Sequence, residues 1–230
     1  MEHHFIIEPL SALWWKGIFW ASIISVGIIQ LAIRIPPDRR RMLMIFMGVL
    51  QLSREVWRQW YLSEIGMWDT SNSLPLHLCG IASILSGIMM LRASQDGFEF
   101  LIMLGIPGAL HSFLTPELVN GGDTYQIMEY YLSHGGIILI AFYLAIVEGY
   151  RIREKSWLTV VILGQFILIF IAMMNQILDA NYMYLCQRPI AANPLILGDW
   201  PWYILGFEIV GIIHVLIFYA GFRKMKPLPF

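Results

Sequence analysis

Gln51, Arg54, Glu55 and Arg58 recur at the i, i+3, i+4, i+7 spacing that lines side chains along one helical face. A planar guanidinium fork suits a carboxylate or phosphate. With one carboxylate between the two arginines, the stripe keeps a formal charge of +1 and fits an anionic ligand. The same residues also fit an internal ion-pair network with Glu129, Asp179 or Glu208 from other helices. A second group carries proton-transfer and nucleophilic chemistry: His77 and Cys79 in Ser73-Leu-Pro-Leu-His-Leu-Cys-Gly, His111, Ser112 and Thr115 after Gly105-Ile-Pro-Gly, and His134 in Ser133-His-Gly-Gly. An imidazole removes a proton from a thiol or hydroxyl, which then attacks an acyl carbon. Cys79 follows His77 by two residues, about 200° around a regular helix, so they form no dyad while the helix stays regular. Without a chemical role, Cys79 reads first as a small buried hydrophobe, with a disulfide to Cys186 as the lesser alternative. Asn175, Gln176 and Asp179 close another apolar stretch.

The elements that must position these groups are membrane helices. The chain has 230 residues, 58% hydrophobic and only 13% charged, beyond the apolar share of soluble domains. A hydrocarbon core about 30 Å thick takes roughly 20 helical residues. That length selects seven stretches: Leu13 to Ile33, Met42 to Leu62, Ser73 to Leu91, Phe98 to Thr115, Ile127 to Glu148, Trp157 to Leu178 and Trp200 to Phe222. Of the 15 Lys and Arg residues, eleven fall after stretches one, three, five and seven, from Arg34, Arg39, Arg40 and Arg41 to Arg223, Lys224 and Lys226. The positive-inside rule then puts the N-terminus outside and the C-terminus in the cytoplasm. The expected fold is an all-α, multi-pass bundle of seven transmembrane helices in the cell membrane, one domain over residues 1–230. The acidic start (Glu2, Glu8) has no basic n-region, so the first stretch is expected to remain as an anchor. No basic tract points to nucleic acid, no motif calls for a cofactor, and the expected partners are membrane lipids.

Polar groups within spans cost free energy unless they face protein or a wet cavity. Alternating direction puts His77, His111, His134, Asn175 and the Arg54/Arg58 stripe at one depth, in the outer half of the bilayer. Gly80, Ser83 and Gly87 run near the face of His77, a small-residue stripe that permits close packing. Pro75 suits a first helical turn, which would place His77 one turn inside. Pro107 falls in mid-span, where it should kink or interrupt the helix. Glu208 and His214 lie deeper on the last span, apart from this group. Tyr182, Tyr184 and Trp200-Pro-Trp-Tyr read as an interfacial aromatic belt with Trp14 and Trp15.

The segments Ser73-Leu-Pro-Leu-His-Leu-Cys, Leu132-Ser-His-Gly-Gly-Ile and Asn181-Tyr-Met-Tyr-Leu-Cys through Gly198-Asp-Trp-Pro-Trp-Tyr resemble the YwaF family of bacterial integral membrane proteins, over nearly the whole chain. That family is similar to a eukaryotic branch with a polytopic acyltransferase acting on ether phospholipids. The resemblance implies lipid acyl chemistry with a cysteine and histidine pair. Where that branch reads Pro-Cys-His, this chain has Pro75-Leu76-His77, so Cys79, Ser112 or Thr115 would have to replace the cysteine. The leading expectation is an intramembrane lipid acyltransferase or acyl hydrolase. His134 or His111 would act as base, and Arg54 or Arg58 would hold an anionic lipid or acyl substrate. Backbone amides near Gly135 or the Pro107 break would face the oxyanion. Three alternatives stand beside it: a transporter or channel for a small anion or lipid, a hydrolase with zinc held by His77, His111 and His134, and a noncatalytic lipid-binding or assembly subunit whose polar groups only pair with one another.

Overall fold

The computed structural model describes residues 4–190 and 198–225. Among these residues the chain forms seven helices: α1 (Ala12–Arg34), α2 (Pro37–Glu64), α3 (Leu78–Leu91), α4 (Gln95–Leu114), α5 (Thr124–Ile146), α6 (Ser156–Leu178) and α7 (Trp202–Arg223). Five of them, α1, α4, α5, α6 and α7, are long and apolar enough to cross a membrane. α2 has the length, with 28 residues, but its charged stripe lowers its hydropathy. α3 has only 14 residues, about 21 Å of helix. Two short strands, β1 (Phe5–Ile6) and β2 (Glu117–Leu118), pair antiparallel with Phe5 opposite Leu118 and mark one end of the bundle. The clusters Arg39–Arg41 and Arg151–Lys155 lie at the other end, where α2 and α6 begin.

The centre is formed by α3, α4 and α5. Two thirds of the apolar window of α4 is buried (67%) and over half that of α5 (56%), against 6% for α1 and α7, so the last two present their faces to the surrounding medium. Side-chain caps fix where these helices start. Ser11 Oγ accepts from Trp14 N (3.2 Å), Ser94 Oγ from Gly97 N (3.2 Å) and Asp123 Oδ1 from Gln126 N (3.0 Å). Small residues set the closest crossing. A β-carbon on Gly87 would lie 2.8 Å from Leu52 Cγ, and one on Gly48 would lie 2.9 Å from Gly87 O, so only glycine lets α2 and α3 approach this closely. The expected close packing is thus made by Ser83 and Gly87 against α2, while Gly80 packs on Pro75.

Two local expectations change, and a third takes a specific form. The residues 73–77 are not helical. The position before a proline is biased away from the α region, and the chain folds back over Gly80, where a β-carbon would sit 2.8 Å from Pro75 O. Consequently α3 starts at Leu78 and His77 is its N-cap residue, not one turn inside. At Pro107 the interruption is a change of winding within a continuous α4: residues Leu101–Gly105, just before it, wind as a π-helix, and α-helix resumes over Ile106–Leu114. The tyrosines at the strand end are not a belt. Tyr182 and Tyr203 are buried, whereas Trp15, Trp200 and Trp202 are exposed.

Candidate functional site

One cavity of about 500 Å³ opens beneath the strand end, within the roughly 300–1,000 Å³ usual for small-molecule sites. His77 and Cys79 reach it from the start of α3, His111 and Ser112 from α4, Glu129, Ser133 and His134 from α5, and Glu208 and His214 from α7. Of the residues expected at the site, His77, Cys79, His111, Ser112, His134, Glu55 and Arg58 line it, while Gln51, Arg54 and Asn175 stand outside the lining.

Hydrogen-bond partners assign a tautomer to each histidine, because a carbonyl only accepts and a backbone N–H only donates. His134 Nδ1 lies 2.7 Å from Tyr130 O and therefore carries the proton, leaving Nε2 as a lone pair. His77 Nδ1 accepts from Met183 N (3.2 Å), so its proton sits on Nε2. His214 Nδ1 donates to Val210 O (2.7 Å), which makes its Nε2 an acceptor for His111 Nε2–H at 3.2 Å. His111 Nδ1 is then a lone pair as well. In the neutral forms, His134 and His111 are equipped to accept a proton and His77 to donate a hydrogen bond.

Cys79 Sγ lies 3.4 Å from Ser112 Oγ. The Ser112 hydroxyl donates back to Gly108 O (3.1 Å), so its one hydrogen is committed and the Cys79 S–H is the donor between them. Thr115 Oγ1 likewise donates to His111 O (3.2 Å). Of the three expected nucleophiles, Cys79 is the one whose reactive atom is not held by a backbone carbonyl. Both cysteines are free thiols. His77 precedes α3, so the helical geometry that would separate it from Cys79 does not apply. No hydrogen bond joins either group to the other among the described residues.

The polar stripe of α2 is an ion-paired strut. Arg54 pairs with Glu129 of α5 and donates to Ser83 Oγ (2.5 Å), and Gln51 Nε2 donates to Ser83 Oγ (2.9 Å) and Ser86 Oγ (3.3 Å). Arg58 Nη2 lies 3.5 Å from Glu55 Oε1 and donates to Ser73 O (2.7 Å), which Gln59 Nε2 also meets at 2.8 Å. Two guanidinium groups face two carboxylates, so the surplus charge inferred from α2 alone is cancelled by Glu129. Asn175 holds backbone: its Nδ2 donates to Tyr182 O (2.9 Å) and its Oδ1 accepts from Tyr182 N (2.8 Å).

Those bonds shape the segment after α6 into a cover over the cavity. Tyr182 Oη donates to Thr70 O (2.7 Å) and accepts from Leu74 N (3.0 Å), and Tyr203 Oη donates to Tyr184 O (2.7 Å). Met183 (φ 57°) and Tyr184 (φ 55°) both adopt the left-handed region, which costs of order 1–3 kcal/mol per non-glycine residue and is held by surrounding contacts. That geometry points Met183 N at His77 and sets Tyr184 in the cavity wall. Burial, with Glu117 adding to it, pushes the Tyr184 phenol above its ordinary pKa. The Ser71 hydroxyl, together with the Ser71 N–H at 2.7 Å, holds the Asp69 carboxyl below its ordinary value.

His214 and Glu208 are the residues the sequence placed apart from the site. Their separation on α7 gave no common face, and only the packing of α7 beside α4 brings His214 to His111. Glu208 accepts from Gln165 of α6 at 2.7 Å. Among the described residues no three His, Cys, Asp or Glu side chains form a group able to hold a metal ion. His77, His111 and His134 share the cavity without converging on one point.

The fold and cavity are those of a multi-pass helical membrane protein. The model of the TMEM164 family matches residues 4–219, and the chain belongs to that family of transmembrane proteins. No curated protein and no solved structure matches it.

Proposed function

We propose that the protein is an intramembrane lipid acyltransferase or acyl hydrolase of the cell membrane. In this proposal α2 and α3 complete a seven-span bundle with the strand end outside and the basic end in the cytoplasm, in keeping with the positive-inside rule. The observation that supports this reading is that the Cys79–Ser112 pair and His77, His111 and His134 line one cavity. The eukaryotic acyltransferase branch that the YwaF-like motifs resemble points to the same chemistry, with Leu76 standing where that branch has its cysteine.

The Cys79 thiol attacks the ester carbonyl of a bound lipid while His134 Nε2 takes the thiol proton, directly or through a water. The His77 Nε2–H stabilises the oxyanion. Collapse breaks the ester C–O bond, leaves a thioester on Cys79, and returns the proton from His134 to the departing alcohol oxygen. A second lipid hydroxyl, or water, then attacks the thioester, giving its proton through His134 to the Cys79 sulfur. Arg58 and Glu55 stand at the cavity rim, where they meet the lipid headgroup.

Anion transport loses its main support because Glu129 neutralises Arg54, and zinc hydrolysis loses its ligand geometry. The test is labelling of the purified protein, in liposomes, by a phospholipid with an alkyne-tagged acyl chain. Labelling that disappears in Cys79→Ala and falls steeply in a folded His134→Ala supports acyl transfer. Equal labelling of wild type and both variants, or none with no lipid turnover, refutes it.

A further inference from the structure

Beyond the histidines the cavity continues as an apolar limb between α4, α6 and α7. Leu104, Ile167, Phe207 and Val215 line it, and Gly164 and Gly211 form part of its wall. From Ile204 to Val215 it follows twelve residues of α7, about 17 Å over eleven rises of 1.5 Å, the reach of a long acyl chain. The polar groups beside it are paired with one another, Gln165 with Glu208 at 2.7 Å and His111 with His214 at 3.2 Å. Gln165 and Ile212 line the limb and are also exposed at the surface of α6 and α7, so the limb communicates with the surrounding medium between these helices. The two glycines are the places where its volume is open to change. A β-carbon on Gly164 would meet only Leu104 Cδ1, at 3.7 Å, and one on Gly211 would meet nothing within 4 Å.

We infer that this limb holds the acyl chain of a membrane lipid, admitted sideways between α6 and α7, and that Gly164 and Gly211 set how long a chain is accepted. The inference rests on reading the cavity as a lipid acyl site, and names the part of it that binds the chain. The limb presents hydrocarbon walls where the bilayer supplies hydrocarbon ligands, and it belongs to the same cavity that Cys79 and Ser112 line. An ester carbonyl at that pair thus directs its own chain along α7. Phenylalanine at either glycine occupies the limb without displacing backbone, and each methylene it excludes weakens binding about fourfold.

The test is photo-crosslinking in liposomes with phosphatidylcholine carrying a diazirine at the end of either a palmitoyl or an octanoyl chain, followed by peptide mapping. The expected result is palmitoyl crosslinks at Ile167, Phe207 and Val215, at least tenfold weaker in Gly164→Phe and in Gly211→Phe, with octanoyl crosslinks retained. Gly27→Phe is the control, since Gly27 lies on α1 outside the cavity and also meets nothing within 4 Å. It leaves all crosslinks unchanged. Monodisperse elution and unchanged helical content establish that each variant is folded. His134→Ala keeps the crosslinks, so their presence without acyl transfer refutes only the proposed chemistry. Palmitoyl crosslinks spread evenly over the outward-facing Ile209 and Ile213, or unaffected by both phenylalanines, overturn the chain site.

Discussion

Replacing Arg54 by methionine isolates the role of the α2 stripe. Its side chain is 10% exposed and that of its partner Glu129 is 12% exposed, so neither charge has water to fall back on. Removing one member of a buried pair typically costs about 3–5 kcal/mol, because the remaining charge is left uncompensated, whereas replacing both is often close to neutral. Arg54→Met also removes the donor to Ser83 Oγ, although Gln51 Nε2 still reaches that oxygen at 2.9 Å. A loss of about 3 kcal/mol or more is therefore expected for Arg54→Met, and a comparable loss for Glu129→Leu. The double variant should recover most of one of them, a coupling of about 2 kcal/mol or more. Reversible unfolding in mixed micelles, followed by circular dichroism across a denaturing-detergent titration, measures all four corners of the cycle. Additive losses would refute the strut. So would a stable Arg54→Met protein whose only defect is weaker binding of an anionic lipid.

Four further outcomes follow from particular contacts. Gly87→Leu drives a side chain into Leu52 and should cost about 1–3 kcal/mol, whereas Gly27→Ala on α1 should stabilise slightly, by up to about 1 kcal/mol; thermal unfolding compares them. Glu99, fully buried and bound by Arg153 at 2.7 Å, should lose about 3 kcal/mol on conversion to alanine, whereas Asp96, whose side chain is 71% exposed, should lose less than about 1 kcal/mol. For Tyr184 the folded pKa is raised above the unfolded value near 10. Its contribution is complete below that pH and is lost as pH rises through the folded value, so wild-type stability should fall above about pH 10 and Tyr184→Phe should flatten that decline. Asn175→Ala frees both the N–H and the C=O of Tyr182. It should cost about 1–3 kcal/mol per group left unpaired and speed hydrogen exchange across residues 179–190.

Long, strongly apolar segments were legible because their signal accumulates over twenty or so residues. The ends of α1, α5, α6 and α7 fall within three residues of the expected boundaries. The start of α3 was not legible. Pro75 fits a first helical turn equally well in sequence, and only the carbonyl of Ser73, taken by Arg58 and Gln59, shows that the chain is held outside the helix. Alternating span direction was enough to bring His77, His111 and His134 to one cavity. It could not find His214, whose place depends on how α7 rotates against α4. Nor could the stripe on α2 reveal its own neutralisation, since Glu129 lies 75 residues from Arg54. Tyr182 and Tyr184 read as a belt because interfacial and lid tyrosines share a composition. Their hydrogen bonds to Thr70, Leu74 and Tyr203 distinguish them.

The most direct test of an acyl-thiol centre is the site of the covalent adduct after acid quench of protein incubated with an acyl-tagged phospholipid. Peptide mass mapping should find the acyl group on Cys79, cleaved by neutral hydroxylamine as a thioester and absent from Cys79→Ala, with Cys186 unmodified. An adduct on Cys186 alone, a hydroxylamine-resistant adduct on Ser112, or turnover that continues in Cys79→Ala would contradict it.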